Sequence, residues 1–390
     1  MPRPMRIRTR GAMVMISVAS FVVLGLTESG LGTAWPSMRR SVGRPVEDLG
    51  TLLVVGLLGY ASSSALSGRV VIRFGTGRSL IIAGMLSLSG LAAYGTAGSW
   101  SRVLAAALLL GLGSGVLDST LNAHGAHHFS AGAMNLLHAG FGVGATIGPL
   151  VMAGAVAGGA GWQAGYLVYA AVQTSMLVVL IVVRRRWLVT AVDDAEQPSR
   201  PRRMDTVAIA TLAMFFLYTG IEVAAGQWSF SVLTEDRGLT TGAGGAWVAA
   251  YWGGLMVGRF ILSGVADWLG PVMVLRMSMA GAVGASIWFW WDPSGFGVAG
   301  LPTLGLSLAG IFPTLVSLTP QRLGADRTTT MVGYQLAAAS LGAAAVPWTA
   351  GRVIAASSLA AVGPFLAVAA VVMAILNGLL ERTAASTRHH

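Results

Sequence analysis

Cysteine and lysine are both absent from the 390 residues. Without cysteine there are no disulfides and no thiolate metal sites. Charge of either sign is scarce: acidic and basic residues make up 10% of the chain, where an ordinary soluble protein carries roughly a quarter. That excludes a water-soluble globular protein. What fills the chain is apolar, at 54% of residues and a mean hydropathy of +0.70. Stretches of about 20 apolar residues, enough to cross a hydrocarbon core of about 30 Å, recur along its length. The 53 glycines suit the same reading, because in lipid small residues let helix backbones approach until dispersion holds them.

All 25 basic residues are arginine, against 15 acids, for a formal net charge of +10. Most arginines fall in short segments between apolar stretches. The densest group, Arg184 to Arg186 with Arg200, Arg202 and Arg203, is interleaved with Asp193, Asp194 and Glu196. A nucleic-acid surface would need a solvated basic face on a soluble domain, so no nucleic-acid partner is expected. The first apolar stretch is too long for a secretory signal and lacks a small-residue cleavage site, so it reads as a retained span.

Breaks at Arg, Asp, Pro and Gly clusters predict twelve helices, at about 12–36, 49–72, 79–97, 103–123, 133–157, 162–183, 206–231, 243–266, 272–290, 297–319, 328–350 and 359–379. The polar connection 184–205 divides the chain into an N-terminal six-helix bundle, 1–183, and a C-terminal one, 206–390. Placing both termini in the cytoplasm puts 19 arginines inside and six outside, the asymmetry expected of a multi-pass protein of the cell membrane.

The halves repeat at an offset of about 194 residues. Gly25-Leu26-Thr27-Glu28 precedes Gly32 and Trp35, and Thr219-Gly220-Ile221-Glu222 precedes Gly226 and Trp228. Gly144-x-x-x-Gly148-Pro149 is echoed by Gly342-x-x-x-Val346-Pro347, and the turn at Gly75 by that at Gly270. With six helices per half, corresponding helices run the same way. The expected fold is therefore an all-α polytopic membrane protein of twelve transmembrane helices, in two six-helix bundles related by a pseudo-two-fold axis along the membrane normal. Such a pair of bundles implies a solute path between them.

Three carboxylates fall well inside predicted helices: Glu28, Asp118 and Glu222. An acid near the bilayer centre costs about 2.5–3.5 kcal/mol on insertion scales, so such groups usually face a bundle interior or a wet cavity and mark ion routes. These three are the expected proton-coupling residues. Asp118 and Asn122 are i,i+4 on one helix face, continuing the stripe of Gly111 and Gly115, while Asn135 and His138 are i,i+3 on the next helix. Tyr218, Gln227, Trp228 and Trp35 add polar hooks and aromatic faces able to stack on a sugar ring or enclose an organic cation. Together these seven are the expected solute contacts.

Arg259 lies inside the eighth helix, where it can snorkel to the surface, pair with an acid or hold an anion. His124, His127 and His128 read as solvated loop histidines following the fourth helix, with no carboxylate to complete a metal site. No cofactor, no metal and no enzymatic constellation is expected.

The segment Gly68-Arg69-Val70-Val71-Ile72-Arg73-Phe74-Gly75-Thr76-Gly77-Arg78 resembles the signature loop between helices two and three of the major facilitator superfamily. Ile72 stands where that family usually has aspartate. Asp267 occupies the equivalent place before Gly270. The resemblance implies a charge–dipole latch kept on one side, at Asp267, and Arg73 and Arg259 are the other residues expected to act in gating. Gly115-Val116-Leu117-Asp118 with Asn122, Leu137-His138 with Gly142 to Gly148-Pro149, and Tyr218-Thr219-Gly220-Ile221-Glu222 look like the fucose-permease-like branch. In that branch acids on the first and fourth helices bind the proton and recognise sugar, roles the resemblance carries to Glu28 and Asp118, with the two acid types exchanged. Gly144-x-x-x-Gly148-Pro149 is also similar to the core of the antiporter signature, with Met152 and Ala153 in place of its second glycine pair.

The leading expectation is a monomeric, proton-coupled transporter importing a small polar solute such as a monosaccharide by alternating access. A proton-coupled antiporter exporting an amphipathic or cationic compound is the first alternative. A membrane solute receptor or scaffold that moves nothing is the second. The expected partners are the solute, protons and the lipid bilayer.

Overall fold

A computed structural model describes residues 7–187, 205–292, 295–324 and 327–386, all of them helix or short connection. Most of the expected linker, residues 188–204, lies outside the described residues, as do His389 and His390. The chain divides into two compact units, one of residues 1–45 and 51–193, the other of 46–50 and 194–390.

The first unit holds α1 (Ile7–Ser41), α2 (Asp48–Phe74) from its fourth residue on, α3 (Thr76–Gly95), α4 (Trp100–His128), α5 (Ala131–Ala157) and α6 (Gly161–Val183). Its main packings are α1 on α5 and α3 on both α4 and α6. Glycine sets the closest of these crossings. A Cβ on Gly144 would collide with the carbonyl oxygen of Val22 and stand 2.7 Å from the amide nitrogen of Leu26, and one on Gly25 would stand 2.9 Å from the nitrogen of Ala145. Backbones meet directly there, as dispersion-driven packing in lipid requires. Tyr169 of α6 adds a hydrogen bond of 2.6 Å to the Gly148 carbonyl, beside Pro149.

The second unit holds α7 (Thr206–Ser231), extended by a π-turn at Val232–Asp236, then α8 (Thr241–Leu269), α9 (Pro271–Trp291), α10 (Gly300–Leu308), α11 (Ile311–Ser317), α12 (Thr319–Leu323), α13 (Thr328–Ala356) and α14 (Val362–Ser386). Here α7 packs on α13, α8 on α10, and α9 on α10 and α14. Gly342 of α13 meets the Phe216 carbonyl of α7 much as Gly144 meets α1. The stretch expected as one helix at 297–319 is broken at Ala309–Gly310 into α10 and α11. Pro313 has no N–H to offer the Ala309 carbonyl four residues back, which explains the break.

Among the described residues ten helical stretches, with α10 and α11 counted together as Gly297–Ser317, are long and apolar enough to cross a membrane. The 29-residue α8 and α13 match them in length. Large apolar side chains are exposed throughout, among them Leu58, Val182, Leu341 and Val368, the surface expected where lipid is the solvent. The turns α2–α3 and α8–α9 share one conformation, with Gly75 at φ 77° and Gly270 at φ 75°. Any L side chain would be strained at either position.

The start of α7 carries a testable cap. Asp205 accepts a hydrogen bond of 2.8 Å from the Ala208 amide and pairs with Arg327 at 3.0 Å. The amide bond first, and the guanidinium second, hold its carboxyl below the usual 3.8. A folded-state value below the unfolded one means the contribution is complete above about pH 4 and is lost as pH falls through the lowered value. The carboxylate is 51% exposed, so the ion pair is screened and the cap dominates. Asp205→Ala is expected to cost about 1 kcal/mol at pH 7 and less as pH falls through the lowered value, as read by thermal unfolding in detergent over that range.

Candidate functional site

In the first unit the polar residues of α1, α2, α4 and α5 converge. Gly115 makes this possible, since a Cβ there would strike the Tyr60 carbonyl and the Ser63 hydroxyl, so α2 lies against the polar face of α4. Tyr60 then donates a hydrogen bond of 2.6 Å to Asp118 Oδ2, and Asn122 donates one of 2.9 Å to Asp118 Oδ1 from one turn on. Across the same crossing the hydroxyls of Ser64 and Ser119 are 2.6 Å apart. Glu28 reaches in from α1, where Ser114 hydrogen-bonds it and Asp118 and Tyr60 stand within electrostatic range. His138 of α5 faces Asp118, with its ring edge-on to Phe21 at 5.5 Å. Two carboxyls, a phenol, an amide and an imidazole thus share one partly exposed cluster.

The second unit builds a different cluster around Glu222. Tyr218, one turn before it on α7, donates to its carboxylate, and Tyr251 of α8 donates a hydrogen bond of 2.8 Å to its backbone carbonyl. The Arg259 guanidinium hydrogen-bonds Tyr218 and faces both Glu222 and Tyr251.

The other expected residues are placed apart from these clusters. Asn135 is exposed on α5 and belongs to none of the hydrogen bonds around Asp118. Trp35 is fully buried, its ring 6.2 Å from that of Trp100. Trp228 is fully buried too, and its indole donates a hydrogen bond of 3.0 Å to the Pro347 carbonyl, so it ties α7 to α13. Gln227 is buried beside it. Arg73 is exposed, its guanidinium 5.7 Å from the Phe74 ring. The side chain of Asp267 lies outside the described residues.

One expectation is corrected. His124, His127 and His128 are not in a loop: α4 runs through His128. His124 is fully buried, in ring contact with His128, Phe129 and Trp187. The stripe Leu117, Leu121, His124 follows helical spacing, so the last turn carries the imidazole onto the core side. Among the described residues no group of three or more His, Asp or Glu is arranged to hold a metal ion.

Sequence reasoning missed Tyr60 and Ser114. The available signal was the pairing of small faces: Gly56 and Gly59 on α2 against Gly111 and Gly115 on α4, which brings Tyr60 onto Asp118.

A family model described as Major Facilitator Superfamily matches residues 18–347. Over 365 residues the chain is 23% identical to the glucose/mannose transporter GlcP of Bacillus subtilis (strain 168), covering 86% of each chain. Over 397 residues it is 27% identical to the 3-(3-hydroxy-phenyl)propionate transporter of Escherichia coli (strain K12), covering 95% of each. Among solved structures, a POT family transporter in complex with a thioalcohol-conjugated peptide superposes with a TM-score of 0.77 at 12% identity, over 96% of both chains.

Proposed function

The chain belongs to the Major Facilitator Superfamily, and from that premise we propose a proton-coupled importer of a small polar solute such as a monosaccharide, working by alternating access. Secondary transport is the activity common to the family. The finer reading rests on one observation, the Glu28–Asp118 cluster, in which Tyr60, Asn122 and Ser114 hold two intramembrane carboxyls beside His138. Protonation removes charge from a low-dielectric site and permits closure over the solute; loss of the proton on the other side restores the charge and favours reopening. The name of the Bacillus subtilis relative, a glucose/mannose transporter, points to the same solute class.

On this reading α8 and α13 also cross the bilayer, giving twelve spans in two six-helix bundles, 1–183 and 206–390, with pseudo-two-fold symmetry, the 184–205 linker and both termini in the cytoplasm, and a monomer as the working unit. Glu28, Asp118 and Glu222 carry coupling. Asn122, Asn135, His138, Tyr218 and Gln227 contact solute, with Trp35 and Trp228 shaping the site from the packed side. Arg73, Arg259 and Asp267 act in gating.

Purified protein in liposomes, challenged with a panel of hexoses and small organic acids, tests the proposal. Solute addition is expected to acidify the lumen and to support counterflow. No proton movement with any counterflowing solute would remove the coupling. Export of an amphipathic cation is the second reading, favoured by the tight α1–α5 crossing at Gly144 beside Pro149, the segment similar to the antiporter signature. Efflux of such a cation under an inward proton gradient would select it.

A further inference from the structure

The turn between α2 and α3, together with the end of α6, encloses a pocket of about 260 Å³ lined by Gly75, Gly77, Arg78, Arg184, Arg185 and Trp187. Three arginines are among the lining residues and no carboxylate is; the Arg184 guanidinium donates a hydrogen bond of 2.9 Å to the Ile181 carbonyl. The pocket sits at the N-terminus of the 20-residue α3, whose first-turn amides receive no side-chain cap, so backbone N–H groups and the helix dipole add to the positive field. A Cβ on Gly77 would collide with the Arg184 carbonyl, so contact between the two segments fixes the spacing of the arginines. Trp187, 6% exposed, is a further lining residue. Beside this basic pocket the surface turns apolar, with Ile72 and Val182 each 71% exposed and Phe74 42% exposed.

We propose that this pocket binds a phosphate group with net negative charge. Arg78, Arg184 and Arg185 would supply charge-assisted hydrogen bonds, Arg184 by turning from the Ile181 carbonyl, and the amides of α3 would supply neutral ones. The apolar rim beside a cationic recess is the arrangement that receives a phospholipid whose acyl chains lie along Ile72 and Val182, so an anionic headgroup is the favoured source over soluble phosphate. The inference concerns neither solute nor coupling and stands apart from the transport proposal.

Native mass spectrometry of the full chain, released from detergent with phosphatidylglycerol, phosphatidylcholine or inorganic phosphate added singly and together, reads the site directly. One phosphatidylglycerol is expected to stay bound under activation that strips phosphatidylcholine. Arg184→Gln with Arg185→Gln is expected to weaken that binding about 30-fold, at roughly one kcal/mol per basic residue. Arg102→Gln, at the opposite end of α4, should leave it unchanged. Arg78→Gln alone should weaken binding several-fold, and unchanged binding in that variant overturns the proposal if the double variant fails to fold. Displacement of the lipid by millimolar inorganic phosphate would support the phosphate site and name a soluble source. Equal retention of both lipids, or loss in Arg102→Gln equal to that in the double variant, would overturn the proposal.

Discussion

Liposomes carrying Asp118→Asn are expected to exchange solute at close to the unsubstituted rate and to accumulate none. The substitution is nearly isosteric, and its two partners can adapt. Tyr60, which donates to Asp118 Oδ2 at 2.6 Å, can donate to an amide oxygen instead. Asn122, which donates at 2.9 Å, can turn its amide over and accept. Folding should therefore survive while the charge that responds to the proton is gone. The size of the loss follows from the driving force. One elementary charge moved through about 100 mV is worth about 2.3 kcal/mol, enough to concentrate a neutral solute about 50-fold. Tracer accumulation under a potassium diffusion potential should fall from that order to unity, while counterflow, which needs no net proton movement, continues. Glu28→Gln is the comparator, since Ser114 can hydrogen-bond an amide as it does the acid. If accumulation persists in both variants, neither carboxyl couples transport to the proton.

The helices were legible in the sequence because a span needs only length and apolar composition, and the twelve expected stretches all contain helix. The break at Ala309–Gly310 was hidden because Pro313 lies within a run of continuous hydropathy, where composition carries no information about which carbonyl loses its donor. The acids were legible through their cost in a bilayer. Their partners were not: Tyr60 in an apolar helix is indistinguishable from a lipid-facing or packing tyrosine until the glycine faces of α2 and α4 are brought together. The histidines of α4 failed for the opposite reason. A polar triplet near a helix end resembles a loop, yet helical spacing from Leu117 and Leu121 carries His124 into the core. Trp228 looked like a solute-facing aromatic because sequence shows its neighbour Glu222 but not the Pro347 carbonyl that engages its indole.

Arg259→Met should destabilise the second unit by about 3 kcal/mol, and Glu222→Gln added to it should restore most of the loss. The reasoning is electrostatic. The guanidinium faces Glu222 and hydrogen-bonds Tyr218, whose hydroxyl donates to the same carboxylate. Removing the cation leaves an acid in a low-dielectric site with one phenol for support, at the cost of an uncompensated intramembrane charge. Neutralising Glu222 as well removes that charge, and the glutamine amide keeps an oxygen for Tyr218. At about 2.1 cal/mol/K per residue of unfolding entropy, 3 kcal/mol lowers the melting temperature by about 4 °C if the whole chain unfolds together, or about 7 °C if the second unit unfolds alone. Tyr251, which holds the Glu222 backbone carbonyl at 2.8 Å, keeps α8 against α7 in every variant. The change is thereby confined to the charge pair, and the coupling energy of the double-mutant cycle reports on it. Additive losses in the cycle would mean that Arg259 and Glu222 do not compensate one another. The guanidinium would then owe its place to the tyrosines, and a gating role built on the pair would go with it.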